Sequence, residues 1–514
     1  MTTTTTGVTL NVTGVTAEDV INVARHDAQI TIAPAVIEQL AEVRAHIDAL
    51  AAQETPVYGV STGFGALATR HIPHEDRAKL QRSLIRSHAA GMGTPVEREV
   101  VRALMFLRAK TLASGRAGVR PVVLQTMVDL LNAGITPLVR EYGSLGCSGD
   151  LAPLSHCALV LMGEGEAVDK DGVQRPVPEL LAEAGITPVE LREKEGLALV
   201  NGTDGMLGML VMALADLNEL ADLADVTGAM SVESQFGTDQ VFRAELHEPL
   251  RPHPGQKTSA ANMFKALAGS EIVASHREGD GRVQDAYSLR CSPQVTGAVR
   301  DTIAHATTVA TRELAAAIDN PVVLPSGEVT SNGNFHGAPV AYVLDFLAIA
   351  VADLGSLAER RTDRALDPAR NRDLNAFLAD DPGVDSGMMI AQYTQAGLVA
   401  ENKRLAVPAS ADSIPSSAMQ EDHVSLGWHA ARKLRTAVAN LRRILAIELV
   451  VSGRALDLRA PLKPSPVTGA ALEVLRGKVA GPGPDRFLSA DLEAAYELIA
   501  SGEVSRAIKD AAAK

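Results

Sequence analysis

Residues 143–154, Gly143-Ser144-Leu145-Gly146-Cys147-Ser148-Gly149-Asp150-Leu151-Ala152-Pro153-Leu154, set a Cys-Ser-Gly triad among glycines just before an apolar segment. Gly143, Gly146 and Gly149 open backbone conformations closed to residues with a Cβ, so this loop can fold tightly onto itself. Asp150 has the type of an N-cap, Pro153 is tolerated in a first helical turn, and the apolar run to Met162 ends at Gly163. That spacing predicts a helix over 151–162, with the triad at the positive end of its dipole. Attack of the Gly149 amide nitrogen on the Cys147 carbonyl, whose oxygen leaves as water, followed by loss of a second water from Ser148, would give a five-membered ring with an exocyclic methylidene. No standard side chain offers such an electrophile. A bare Cys-Ser-Gly reads as an ordinary turn before a buried helix; the twelve-residue string favours the electrophile.

Other constellations lie far from the triad in sequence. Tyr58-Gly59-Val60-Ser61-Thr62-Gly63-Phe64-Gly65 is glycine-rich but lacks phosphate-cradle spacing, and a tyrosine there is a candidate acid or base. Ser87-His88-Ala89-Ala90-Gly91 closes a helix expected from about Glu75, where the C-terminal dipole would raise the proton affinity of His88. Gln420-Glu421-Asp422-His423-Val424-Ser425 precedes a long helix, and acidic charge at a helix start is its simplest reading. Asn201-Gly202-Thr203 reads as a turn. Arg290, in Gln284-Asp285-Ala286-Tyr287-Ser288-Leu289-Arg290-Cys291, offers a fork suited to a carboxylate. Phe335 sits in Ser331-Asn332-Gly333-Asn334-Phe335-His336-Gly337, among Asn and Gly residues that make plain core burial less obvious.

On these strings the chain resembles, over nearly its whole length, the aromatic amino acid ammonia-lyases that carry the autocatalytic 4-methylidene-imidazol-5-one (MIO) group. The usual triad there is Ala-Ser-Gly, so Cys147 is a departure, although its side chain hangs off the ring and takes no part in closing it. Ser61 and Met419 stand where Asn is common in the family. The resemblance implies MIO built from Cys147, Ser148 and Gly149, with no external cofactor and no metal. It implies Tyr58 as catalytic base, Asn201, Tyr287 and Glu421 as further catalytic groups, and His88, Asn201, Gln284, Arg290, Phe335 and Glu421 as substrate contacts. His88 and Glu421 point to an imidazole, hence to L-histidine as substrate, with trans-urocanate and ammonia as products of the first step of histidine degradation. The alternatives are a tyrosine or phenylalanine ammonia-lyase or 2,3-aminomutase, or a helical scaffold without catalysis. In mechanism, either the substrate amine or its imidazole would meet the methylidene.

The elements that would hold these residues are mostly helices. Strand patterns appear at 8–12 and 29–32, amphipathic helices at 96–113 and 121–132, and long helices at 197–229, 299–317, 340–365 and 425–453. Residues 163–196 read as a surface hairpin and short helix, 246–259 as a solvent-exposed loop whose histidines do not have metal-site spacing, and 481–485 as a break. The fold expected is mainly α, a long central helical bundle with a smaller N-terminal α/β region carrying the active-site loops. The domain division expected is 1–200 for the region with the Tyr58 loop and the triad, and 201–514 for the bundle and C-terminal helices. The resemblance adds a fumarase/aspartase-like helical architecture and a homotetramer with active sites shared between chains.

At 514 residues more than one packed region is expected, and a net charge of -14 argues against nucleic acid as a partner. Cys147, Cys157 and Cys291 are too few and too scattered for a disulfide framework or a zinc site. The N-terminus has neither the basic nor the apolar part of a secretory signal, and apolar runs such as 444–451, which contains Glu448, fall short of the roughly 20 residues a membrane span needs. A cytoplasmic location away from membranes is expected.

Overall fold

The computed structural model describes residues 7–53, 62, 63, 70 and 72–513. Val8–Leu10 and Ile30–Ile32 pair in parallel, joined by helix Ala17–Arg25. That helix starts at a reciprocal capping box, in which the Thr16 hydroxyl accepts from Asp19 N while the Asp19 carboxylate accepts from Thr16 N. Among the described residues the rest is predominantly helical, with two short antiparallel pairs and one three-stranded antiparallel sheet between the helices. Helices Arg98–Ala113 and Pro121–Asn132 lie where the apolar spacing put them; the second opens on proline at its first position, where no intrahelical N–H bond is lost.

The stretch expected as one helix over 197–229 is two, Glu195–Val200 and Asp204–Ser234, interrupted at Asn201-Gly202-Thr203. Apolar periodicity continues across the interruption, so the pattern alone could not show it. The break frees the backbone around Asn201 and starts a new helix N-terminus beside the triad. Helices Ser292–Leu314, Ala338–Leu366 and Gly427–Asp457 are the other long elements. Residues 163–196 form the hairpin Glu166–Val168 with Gln174–Pro176, then helix Val177–Glu183.

A further sequence reading needs correction. Residues 246–259 are not an exposed loop, because helix Pro254–Leu267 begins inside them and buries Gly255, Gln256 and Ser259. His247 is buried too, its Nε2 bonded to the Val241 carbonyl and its Nδ1 accepting from Gln256 Nε2. Prolines, read as loop punctuation, here mark a helix start. Helix Ala338–Leu366 is also long and apolar enough to cross a membrane by length and composition, with a mean hydropathy of 1.8 over its most apolar stretch. Since 61 % of that stretch is buried within the protein and it carries Asp345 and Asp353, it reads as a core helix.

Chain contacts divide the molecule into two units, one of residues 1–212, 307–345 and 408–432, the other of 213–306, 346–407 and 433–514. The first takes in the whole expected N-terminal region and two later stretches. The second is built around an ion pair between Arg361 and Glu448, each 1 % exposed. Both guanidinium nitrogens Nε and Nη2 bond the carboxylate, at 2.5 and 3.0 Å, and Thr227 and Ser231 hydroxyls donate to its remaining lone pairs. The charge that breaks the apolar run at 444–451 is therefore fully satisfied inside the core.

Candidate active site

The triad loop is tethered at both ends by groups from distant parts of the first unit. Leu426 N donates to the Leu145 carbonyl and the Ser425 hydroxyl to the Gly146 carbonyl, each at 2.9 Å. Beyond the triad, Asp150 N donates to the Gly202 carbonyl at 2.8 Å, and Gly149 forms an isolated parallel bridge with Gly202. Gly149 has φ +78°, and a Cβ there would overlap the Gly202 carbonyl. Only glycine satisfies both demands.

Asp150 differs from its expected role. It stands at the N-cap position of helix Leu151–Leu161 yet makes no side-chain cap there. Its fully buried carboxylate accepts instead from Gly205 N and Met206 N, both at 2.9 Å, in the first turn of helix Asp204–Ser234, and from the Ser144 hydroxyl at 2.8 Å. One carboxylate thus joins the start of two helices to the triad loop. Burial pushes its pKa up to about 7, against the pull of those hydrogen bonds. Asp150→Ala is expected to cost about 2 kcal/mol, read as a lower urea midpoint, because it strands the donors of a helix N-terminus.

Cys147 is buried with Val424 and Leu426, and Leu145, Leu151 and Ala409 pack against that cluster. Burial, with the neighbouring Glu421 charge, pushes its thiol up to about 12, so it is a packing group and not a nucleophile. Ser148 is half-buried, and its hydroxyl donates to Glu421 Oε1 at 3.2 Å. Glu421 closes a tight turn with Ser416: each backbone N–H bonds the other's carbonyl, and the Ser416 hydroxyl donates to Oε2 at 3.1 Å. Cys147, Ser148, Phe335 and Glu421 line one cavity of about 440 Å³, together with Asn320, Ser331, Asn332, His336, Gln420, Asp422 and His423.

Asn201 is bonded to Asn320, one of the residues lining this cavity. Arg108, fully buried, pairs with Asp204 at 2.7 Å and donates to the carbonyls of Ala198, Asn201 and Ile318, pinning the interruption between the two helices. Asn201 Nδ2 donates to the Asn320 carbonyl at 2.9 Å, which fixes the amide's orientation and leaves its buried Oδ1 without a partner. A fully buried Lys194–Asp319 pair holds the other side: Asp319 accepts from Asn320 N through its side chain and from Asn332 Nδ2 through its carbonyl.

His88 ends helix Arg77–His88 as expected, but its proton affinity is lowered, not raised. Burial outweighs both the local carbonyl and the attraction of Glu421. The Ser87 hydroxyl donates to the Leu84 carbonyl, so it accepts from His88 Nδ1 at 3.0 Å and leaves Nε2 as an acceptor. Gln284, Tyr287 and Arg290 form a separate cluster in the second unit: Arg290 Nη2 donates to Gln284 Oε1 at 2.7 Å and its guanidinium lies 4.7 Å from the Tyr287 ring centre. None of the three lines the cavity, and Tyr287 is 72 % exposed. Tyr58 lies outside the described residues.

The residues present fit the ring that the triad could form. Both flanks are tethered through backbone groups, the bend falls at a glycine, and an unpaired acceptor, Asn201 Oδ1, is buried close by. The model of the aromatic amino acid lyases matches residues 15–477. The chain belongs to the aromatic amino acid lyase family. This lyase is 68 % identical to the histidine ammonia-lyase of Streptomyces avermitilis over 97 % of either chain, and 47 % identical to that of Deinococcus radiodurans over 95 % of this chain and 93 % of the relative. Among solved structures it resembles a tyrosine aminomutase from Streptomyces globisporus, with a TM-score of 0.92 and 38 % identity over 98 % of both chains. A histidine ammonia-lyase from Trypanosoma cruzi matches with a TM-score of 0.90 and 37 % identity, over 98 % of this lyase and 95 % of that chain.

The cavity also holds residues that motif reading passed over. His336 and His423 stand inside strings already singled out, next to Phe335 and two residues after Glu421. Asn320 had no such signal, since Asp319-Asn320-Pro321 reads as an ordinary turn.

Proposed function

We propose that this lyase eliminates ammonia from L-histidine without oxidation, giving trans-urocanate. The observation that carries the reading is the Ser148–Glu421 contact, which puts the candidate electrophile and a carboxylate able to hold an imidazole N–H in one cavity. Near-full-length identity to histidine ammonia-lyases supports it, and the enzyme is an ammonia-lyase.

The MIO ring formed by Cys147, Ser148 and Gly149 would supply an electrophilic carbon that turns the amino group into a workable leaving group. Arg290 would hold the substrate carboxylate bidentately, with Gln284 and Tyr287 beside it, and Glu421 and His88 would hold the imidazole. Asn201 Oδ1 would accept from the substrate amine, Phe335 would pack against the reacting centre, and Tyr58 would take the β-proton. Because Gln284, Tyr287 and Arg290 cluster at an exposed patch, a second copy of the chain would bring them to the cavity. A homotetramer with shared sites fits this, and the exposed stripe Tyr342, Phe346 and Ile349 along one helix offers apolar surface for it. The location proposed is the cytoplasm.

The test is ultraviolet absorbance on purified enzyme given L-histidine, L-phenylalanine or L-tyrosine, with ammonia assayed at the end. Urocanate from histidine alone is expected; cinnamate or coumarate would overturn the choice of substrate. Glu421→Gln should lower kcat/KM for histidine by about tenfold or more while leaving the urea midpoint nearly unchanged, since Glu421 is only half-buried. An unchanged rate would count against its contact with the imidazole.

A further inference from the structure

We infer that His423 is a further specificity residue of this cavity, offering an N–H to the unprotonated nitrogen of the substrate imidazole, and that His336 positions it. The inference rests on the histidine reading above. Ala338 N donates to His336 Nδ1 at 3.3 Å, so the proton of a neutral His336 sits on Nε2. That nitrogen lies 3.1 Å from His423 Nδ1, which must then accept. The remaining His423 proton is on its own Nε2. The ring centres are 5.2 Å apart with planes at 24°, the separation expected when two imidazoles meet edge to edge through one N–H···N bond. Burial first, and the nearness of His423 second, lower the proton affinity of His336, and a second proton on it would oppose the Ala338 N–H.

Both rings line the cavity that holds Ser148 and Glu421. A carboxylate can only accept, whereas a neutral imidazole presents one N–H and one bare nitrogen. Glu421 answers the first, and an N–H fixed on His423 answers the second. A phenyl or phenol ring has no acceptor at that place and would leave the donor unpaired, which is how a site built for hydrogen bonding rejects an analogue.

The test uses full-length enzyme and competitive inhibition constants for trans-urocanate and trans-cinnamate. His423→Phe and His336→Leu are expected to weaken urocanate about tenfold or more and cinnamate less than about twofold. His336→Gln, which keeps an acceptor and a donor, should restore urocanate binding, and His423→Gln, which keeps a donor, should stay within severalfold of wild type. Unchanged urocanate constants, equal losses for both ligands, or no difference between the Gln and the apolar variants would overturn the assignment. Failure of the wild-type enzyme to turn over histidine would instead strike the reading on which it rests.

Discussion

Ser148→Ala should lower turnover of L-histidine by roughly 10³-fold or more while leaving a folded protein. An α-amino group leaves poorly and the β-hydrogen of histidine is hardly acidic, so a base alone, worth typically 10²- to 10⁴-fold, leaves the elimination slow. Ser148 is the triad residue whose hydroxyl must depart for the methylidene to exist. Alanine keeps the Cβ and removes the leaving group. The loop is held through backbone groups of Leu145, Gly146 and Asp150, not through the Ser148 side chain, which makes one half-buried bond to Glu421. The stability lost should therefore be no more than about 1 kcal/mol. Intact mass checks the chemistry independently: the wild-type chain should weigh two waters less than its encoded sequence, and the alanine variant should not. Turnover by Ser148→Ala at the wild-type rate would end the electrophile reading.

Glu448→Ala should destabilise the protein by about 3–5 kcal/mol, because it leaves the Arg361 guanidinium buried with no counter-charge. The Thr227 and Ser231 hydroxyls lose their acceptor in the same step. Replacing both charges, as in Arg361→Met with Glu448→Leu, should recover much of the loss, since well-packed apolar groups escape the desolvation cost. Urea midpoints of the two single variants and the double variant decide the matter: additive losses would mean that the two charges do not depend on each other.

Much of the helical frame was legible because amphipathic spacing and punctuation agreed, as at 121–132, where proline opens the helix and glycine follows it. What escaped was tertiary. Asp150 looked like the cap of its own helix and proved to cap another, since local sequence cannot reveal which N-terminus lies nearest a carboxylate. At His88 the pull of the local helix carbonyl has the expected sign but is too weak against burial, which depends on neighbours far along the chain. Residues of the strings around Ser148, Phe335 and Glu421 line one cavity. Residues Gln284, Tyr287 and Arg290 form their own cluster and line no part of that cavity, which no reading of a single string could show.

The Gly149–Gly202 bridge joins the triad to a turn made much later along the chain. A nascent polypeptide that has not yet packed its segment around residue 202 lacks the partner that holds the bend at Gly149. On the proposed chemistry, dehydration then becomes a record of folding history: a chain that passed through the native arrangement carries the mass deficit even after denaturation, and one that never folded does not. Partially matured preparations would consist of two covalently distinct populations, separable by weight although identical in gene sequence.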